Sequence, residues 1–518
     1  MERHGDRVII VGGGSAGWIT AGLVAAELRA SGRGTEVVLV ESPDIPIIGV
    51  GEGSWPSMRM TLQRIGLAES QLLVNCEATF KQGTRFINWT DSAVPSSYLH
   101  PFSLPSEYAS LNLAEHWLAG AGGGSFAEFV TPQAAVIEAG LAPKQPATPE
   151  YAFNVNYGYH FDAGKFAQLL HDHAVAKLAV RYVSANLVDV DLAGNGDIQA
   201  IRLDNGERLE GSLFVDCTGQ RALLIGRYPE AQFVSVRHVL LNDTALALQL
   251  PYQDATQPLP STTNATAVPT GWIWDIGLQT RRGIGHVYSS SHASEADAEA
   301  ALRHYVRQVA PQADLERLSP RRIQFDPGYR SQFWVGNCVA VGLSGGFIEP
   351  LEASALALIE QAASFISGQL PANRETMTVV ARRFNDKMTY HWSRIIEFLK
   401  LHYVLSGRTE GYWLASRDPA SCPDALKDKL LLWQQQAPWH DDAPRVDELF
   451  PSASYQYVLY GMGFRPRLRS ARGTTLSRDR DRAVQAVREA AVRAQQMRKL
   501  LPTNRQLIHS LAPLQGAA

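Results

Sequence analysis

Short apolar runs and one helical period alternate near the start of the chain. Val8 to Val11 is apolar throughout, Ser15 to Leu28 places Ile19, Leu23, Ala26 and Leu28 at helical spacing, and Val37 to Val40 is apolar again. Strands apolar on both faces belong in a parallel sheet covered on both sides, so this stretch predicts β-α-β. Further on, 181–192 and 198–209 predict strands of an antiparallel excursion that turns at Asn195-Gly196 and Asn205-Gly206. Leu213 to Asp216 predicts another buried strand. Pro251 to Thr270, rich in Pro, Thr and Ser, predicts a surface connection. Beyond Glu360 the pattern is helical. Arg374 to Tyr403 forms one long periodic segment, and Arg478 to Leu501 carries Ala483, Val487, Ala490, Ala494, Met497 and Leu501 on one stripe.

Composition narrows the classes. With 518 residues, 45% hydrophobic and 19% charged, the chain has material for a large core and no bias toward disorder. A formal charge of -3 supplies no field for nucleic acid or acidic membranes. The terminal arginines are interrupted by Asp479, Asp481 and Glu489, which reads as a solvated helix face. Cys76, Cys217, Cys338 and Cys422 form no C-x-x-C pair, and no HExxH or zinc spacing occurs, so the expectation is no metal and a reducing compartment. His171 and His173, two apart on a predicted helix, point to different sides and do not chelate. The start reads as no secretory signal and no run is long enough for a membrane span, so a cytoplasmic location is expected.

Gly12-Gly13-Gly14-Ser15-Ala16-Gly17 follows a strand and opens a helix, which turns a weak G-x-G-x-x-G spacing into a dinucleotide fingerprint. Gly12 permits the tight turn, Gly14 admits a pyrophosphate to the backbone, and Gly17 lets helix and strand pack closely. Ser15 and Ala16 begin the helix, whose free N–H groups and partial positive charge suit phosphate. Glu41, ending the second strand, is placed to accept from ribose hydroxyls. Two later strand-to-glycine turns follow, at Asp216-Cys217-Thr218-Gly219 and at Gly342-Leu343-Ser344-Gly345-Gly346.

This series resembles FAD-dependent oxidoreductases of the para-hydroxybenzoate hydroxylase and glutathione reductase type. It implies an α/β fold with an FAD-binding Rossmann-like domain and an interwoven, largely helical substrate-binding region. The expected division is 1–365 for the FAD domain, with substrate-side insertions near 80–150 and 235–315, and 366–518 for the helical region. A second nucleotide fingerprint is lacking, so reduced FAD is expected from a separate NAD(P)H-dependent flavin reductase.

Further segments resemble the flavin-dependent halogenases of the tryptophan halogenase family: Thr79-Phe80-Lys81, Trp272-Ile273-Trp274-Asp275-Ile276-Gly277, Gly346-Phe347-Ile348-Glu349-Pro350-Leu351-Glu352, Gly49-Val50-Gly51-Glu52-Gly53-Ser54 and Leu401-His402-Tyr403. The resemblance implies that reduced flavin and O2 convert a halide, chloride or bromide, to hypohalous acid, which halogenates an electron-rich aromatic. It assigns Lys81 and Glu352 to catalysis, and Gly49, Val50, Gly51, Asp216, Gly342 and Leu343 to the cofactor alongside the fingerprint. Ser354 and Ala355 fall to the halide, although Ala353-Ser354-Ala355 departs from the family's S-T-G. Trp272 and Trp274 fall to a barrier between flavin and substrate, with Gly277 where the family has Pro. His100 and Phe102 of His100-Pro101-Phe102, with Tyr455, fall to an aromatic clamp. Paired tyrosines that hold an amino-acid backbone have no match, so an indole-type substrate other than free tryptophan is expected, and a homodimer is compatible with the family.

Read as one strand, 79–85 puts Thr79, Lys81, Gly83 and Arg85 on a common face. An ammonium there hydrogen-bonds hypohalous acid, while burial, which lowers a lysine's pKa, opens a neutral amine route through a haloamine. Glu352 suits stabilisation of the arenium ion and removal of its proton, with Glu349 on the same face if a helix has begun. The rival readings are an FAD-dependent aromatic hydroxylase and a non-catalytic FAD-binding protein.

Overall fold

The computed structural model describes residues 7–45, 51–91, 93–120, 123–466 and 473–511, with the side chains of 473–478 outside that description. Gly49 and Val50 lie outside the described residues. The chain divides into two compact units, residues 1–77, 161–236 and 326–392 in the first and 78–160, 237–325 and 393–518 in the second.

The first unit is built on a six-stranded sheet ordered Trp334–Val335, Cys338–Ala340, Leu213–Asp216, Arg7–Val11, Glu36–Glu41 and Arg181–Ser184. Five of these strands pair in parallel, and Trp334–Val335 is the antiparallel edge. Val8, Ile9 and Ile10 alternate in side-chain direction yet all are buried, as a sheet covered on both faces requires. One cover is the helix Ser15–Ala30, which packs on Ala163–Leu178 and on Ser354–Gly368. The other is an apolar layer that includes Val190, Ile201, Leu209, Leu224 and Ile225. The antiparallel excursion forms a separate three-stranded sheet of Leu187–Leu192, Ile198–Leu203 and Arg208–Glu210, so each long predicted strand is cut into two pieces.

The second unit holds a seven-stranded sheet, ordered Arg321–Gln324, Thr244–Pro251, Arg281–Tyr288, Gly271–Gly277, Thr263–Val268, Gly83–Ile87 and Ser97–Pro101. The substrate-side region therefore combines its helices with a large, mostly antiparallel sheet. Thr263–Val268, expected within a surface connection, is an inner strand, parallel to Gly83–Ile87 and antiparallel to Gly271–Gly277. Its Thr and Asn suggested a loop, but Ala265 and Ala267 alternate into the core, and partners on both sides satisfy the backbone.

The strand expected over 79–85 also breaks. Thr79–Lys81 pairs with Gly158–Asp162, whereas Gly83–Ile87 joins the seven-stranded sheet. Gln82 is the hinge, its N–H donating to the Ser261 carbonyl at 2.7 Å. Gly83 follows because a Cβ there would lie 2.3 Å from the His100 carbonyl oxygen. The common face therefore ends at Lys81, and Arg85 instead pairs with Glu138 at 2.9 Å.

Candidate active site

The glycine fingerprint is shaped by collisions that a side chain would cause. A Cβ at Gly12, where φ is +120°, would lie 2.1 Å from the Cys217 carbonyl, and one at Gly17 would lie 1.9 Å from the Gly12 carbonyl. At Gly14 it would meet nothing within 4 Å. Gly14 is the N-cap of Ser15–Ala30 and no side chain caps that helix, so its first N–H groups open onto free space as a phosphate cradle. Gly342, with φ +77°, packs its turn on the same helix start, since a Cβ there would approach that of Ala16 to 2.8 Å. Glu41 is half-buried at its strand end. Burial raises its pKa, while the charge of His171 and a hydrogen bond from Tyr182 oppose the rise. A cradle without side chains, an uncapped helix start and an acid at the second strand fit FAD.

Asp216 is anchored to the glycine turn that follows it. It is fully buried, and its carboxylate accepts from the N–H groups of Thr218, Leu224 and Ile225 at 2.9, 2.8 and 2.8 Å and from the Thr218 hydroxyl. It shapes the glycine turn from beneath. Gly51 is buried in Gly51–Gly53.

Gly342, Leu343, Ser354 and Ala355 line one cleft, together with Glu349, Met388 and Trp392. Its helix, Ser354–Gly368, begins only after Glu352, so Glu349 precedes the helix rather than sharing its face. Glu352 and Ala353 both adopt left-handed backbone conformations, at φ +65° and +55°. Each costs on the order of 1 kcal/mol or more, and strain of this kind persists where surrounding contacts impose it. Here the Trp55 indole N–H donates to the Glu352 carbonyl at 2.7 Å. Glu352 itself is buried.

Deeper along the same helix, fully buried Glu360 accepts from the hydroxyls of Ser57 and Thr61. Desolvation lifts its pKa to about 7 against the two hydrogen bonds. The folded protein therefore keeps a proton that the unfolded chain releases near pH 4.5. This contribution to stability is complete below that value and is lost as pH rises to about 7. Glu360→Gln should accordingly leave stability unchanged near pH 4.5 and raise it by up to roughly 3 kcal/mol at pH 8. Urea unfolding at both pH values measures this, and an equal effect at the two would contradict it.

In the second unit, Lys81 is almost fully buried and its Nζ lies 5.4 Å from the centre of the Phe102 ring. Every neighbour on its strand is pinned. The Thr79 hydroxyl donates to the Gly277 carbonyl at 2.7 Å, the Asn504 amide to the Phe80 carbonyl at 3.1 Å, and the Phe102 N–H to the Gln82 carbonyl at 2.9 Å. Fully buried His160, directly opposite Thr79, shares a 2.8 Å hydrogen bond with the Thr263 hydroxyl. Burial, and after it the charge of Lys81, holds its imidazole well below the usual pKa. An isolated His in Tyr159-His160-Phe161 gave no signal of this proximity.

His100 pairs with Thr84 across the strands, and its Nε2 lies 3.0 Å from the Ser454 hydroxyl. The fold thus gathers Lys81, His100 and Phe102. Tyr455 is placed differently. It is fully buried, with Phe398 edge-on at 5.0 Å, Trp433 at 5.3 Å, and the cations of Arg394 and Lys429 over its ring. Its ring is occupied by the core. Phe398, absent from the expected clamp, lies 5.8 Å from His100 and stacks on Phe450 at 3.8 Å.

Trp272 and Trp274 share one face of Gly271–Gly277, their rings 6.4 Å apart. Ile273 points oppositely, into the layer under helix Glu295–Val309. Gly285, opposite Trp274, makes room for that indole, which a Cβ would approach to 2.1 Å. At Gly277 any Cβ would lie 2.6 Å from the ring of Pro260. Among the described residues, no cluster of three or more His, Cys, Asp or Glu could hold a metal, and no helix is long and apolar enough to cross a membrane.

Comparison with known proteins covers almost the whole chain. A family model described as tryptophan halogenase matches residues 7–477. The chain is 46% identical to a tryptophan halogenase of Shewanella frigidimarina whose crystal structure superposes with a TM-score of 0.94 over 99% of this chain and 98% of that one. Tar14, a tryptophan C-6 flavin-dependent halogenase from taromycin biosynthesis, gives 31% identity and a TM-score of 0.90 over 98% and 100%. Tryptophan 7-halogenase RebH of Lentzea aerocolonigenes is 30% identical over 90% of this chain and 91% of its own length.

Proposed function

The chain belongs to the tryptophan halogenase family and is a flavin-dependent halogenase acting on an aromatic substrate, and on that premise we propose that it halogenates an indole-type ring other than free tryptophan, with Lys81 and Glu352 as its catalytic residues. When bound and reduced by a separate NAD(P)H-dependent reductase, FAD would supply, with O2, the chemistry that converts chloride or bromide to hypohalous acid. Gly12, Gly14, Ser15, Ala16 and Gly17 hold the cofactor's phosphates, Glu41 its ribose, and Gly342 and Leu343 its ring end. The amides of Ser354 and Ala355, at the start of their helix, hold halide.

Lys81 donates a hydrogen bond to the oxygen of hypohalous acid, drawing electrons from the halogen. The halogen bonds to a ring carbon as the bond to oxygen breaks, and that oxygen leaves as water with a proton from the Lys81 ammonium, which regains one from solvent. The Glu352 carboxylate removes the proton from the same ring carbon. His100 and Phe102 hold the ring, Tyr455 backs them from the core, and Trp272 and Trp274 keep organic substrate from the cofactor. The observation that carries this reading is the buried Lys81 ammonium beside Phe102 on a strand whose neighbours are all pinned. An ammonium so enclosed acts on a small oxidant in a low-dielectric site, where a hydrogen bond is worth more than in water.

Incubation with FAD, a flavin reductase, NADH, indole and either chloride or bromide should yield a product with the halogen's isotope pattern by mass spectrometry. Free tryptophan in place of indole should react more slowly. An oxygenated product that forms without halide would overturn the assignment.

A further inference from the structure

The two left-handed residues at 352 and 353 need something to hold them, and the first unit contains a support built for this. Helix Ser57–Ile65 lies along helix Ser354–Gly368. Ser57, Thr61 and Arg64, spaced at i, i+4 and i+7, form one polar face. Ser57 and Thr61 bond Glu360, and the Arg64 guanidinium donates to the hydroxyls of Ser364 and Ser367 at 2.7 and 3.1 Å. On the apolar side Ile65 fills the space left by Gly22, where a Cβ would already be 3.0 Å away. The helix is thereby fixed along its length. Trp55, two residues before it, delivers its indole N–H to the carbonyl of Glu352.

That bond acts on one of the two residues held in the left-handed conformation. Neither Glu352 nor Ala353 is glycine, so relaxation toward ordinary right-handed or extended backbone is downhill for both. Such relaxation would swing the Glu352 carboxylate and change how the helix starting at Ser354 presents its first amides. The indole N–H opposes it by fixing the Glu352 carbonyl, beside the Ala353 N–H that donates to the Pro350 carbonyl at 2.9 Å.

We propose that Trp55 is a positioning residue for halogenation, its indole N–H holding the Glu352 carbonyl so that Glu352 and Ala353 stay in the left-handed conformation that presents the carboxylate. The inference rests on the reading of Glu352 as catalytic. Trp55 touches neither halide nor substrate in this account and acts through the main chain. Trp55→Phe keeps an aromatic ring and removes the donor. It should lower kcat for halogenation roughly 10- to 100-fold, the range for a misplaced catalytic group, with KM for indole and FAD affinity unchanged. Independently of turnover, hydrogen exchange of the amides at 353–358 should quicken at least about tenfold. Adding Ala353→Gly, which removes the cost of a positive φ, should restore much of kcat in the Trp55→Phe background.

Glu352→Gln, measured in parallel, separates the two claims. If Glu352→Gln is inactive while Trp55→Phe turns over at the parent rate, the role of Trp55 is wrong and that of Glu352 stands. If Glu352→Gln keeps the parent kcat, the reading beneath it falls. Loss of FAD binding in Trp55→Phe, or unchanged exchange at 353–358, would also overturn the positioning role.

Discussion

Lys81→Ala should cut halogenated product by roughly 10³-fold while the protein continues to oxidise reduced flavin, the range associated with a positioned acid or electrostatic group. The reason lies in how Lys81 is held. Its side chain is almost fully buried, and the strand that carries it is fixed by Gly277, Asn504, His160 and Phe102. No mobile surface lysine could take its place in such a setting. Lys81→Met retains the volume and separates loss of charge from loss of packing, and it should be as inactive as Lys81→Ala. Product measured by mass spectrometry beside O2 uptake distinguishes failed halogenation from failed flavin chemistry. Product persisting in both variants would remove Lys81 from the mechanism.

The second large effect concerns the cofactor cradle, where two glycines a turn apart should fail differently. Gly17→Ala forces a methyl group to within 1.9 Å of the Gly12 carbonyl, backbone that cannot yield without opening the turn. It should abolish FAD binding and lower stability together. Gly14→Ala meets no protein atom within 4 Å. Its stability should match the parent, but the methyl group occupies space kept for the pyrophosphate, so FAD affinity should fall by about 100-fold, near 2.7 kcal/mol. Fluorescence titration with FAD and urea unfolding give the two readouts. A Gly14→Ala protein that binds FAD as tightly as the parent would move the phosphates elsewhere.

The positions legible in the sequence are those whose chemistry is set by near neighbours. Strand, glycine turn and helix within 7–30 state a phosphate cradle because tight turns and helix starts are local objects. Lys81, Glu352, His100 and Phe102 stand in short segments resembling a family, and the fold buries Lys81 beside Phe102. Trp272 and Trp274, at alternate positions of one strand, share a face.

Tertiary structure decided whatever depends on partners far along the chain. Thr263–Val268 looks like a loop until the flanking strands satisfy its backbone, and Thr79–Arg85 looks like one strand until Gln82 is drawn to Ser261. Tyr455 has the composition of a clamp residue, but Phe398, Trp433, Arg394 and Lys429 occupy its surroundings. Glu352 carries no mark in the sequence of its left-handed backbone, and its donor Trp55 is 297 residues away. Local sequence specifies which groups are available. Their conformation and protonation depend on burial and on contacts across long separations, which exist only once the chain has folded.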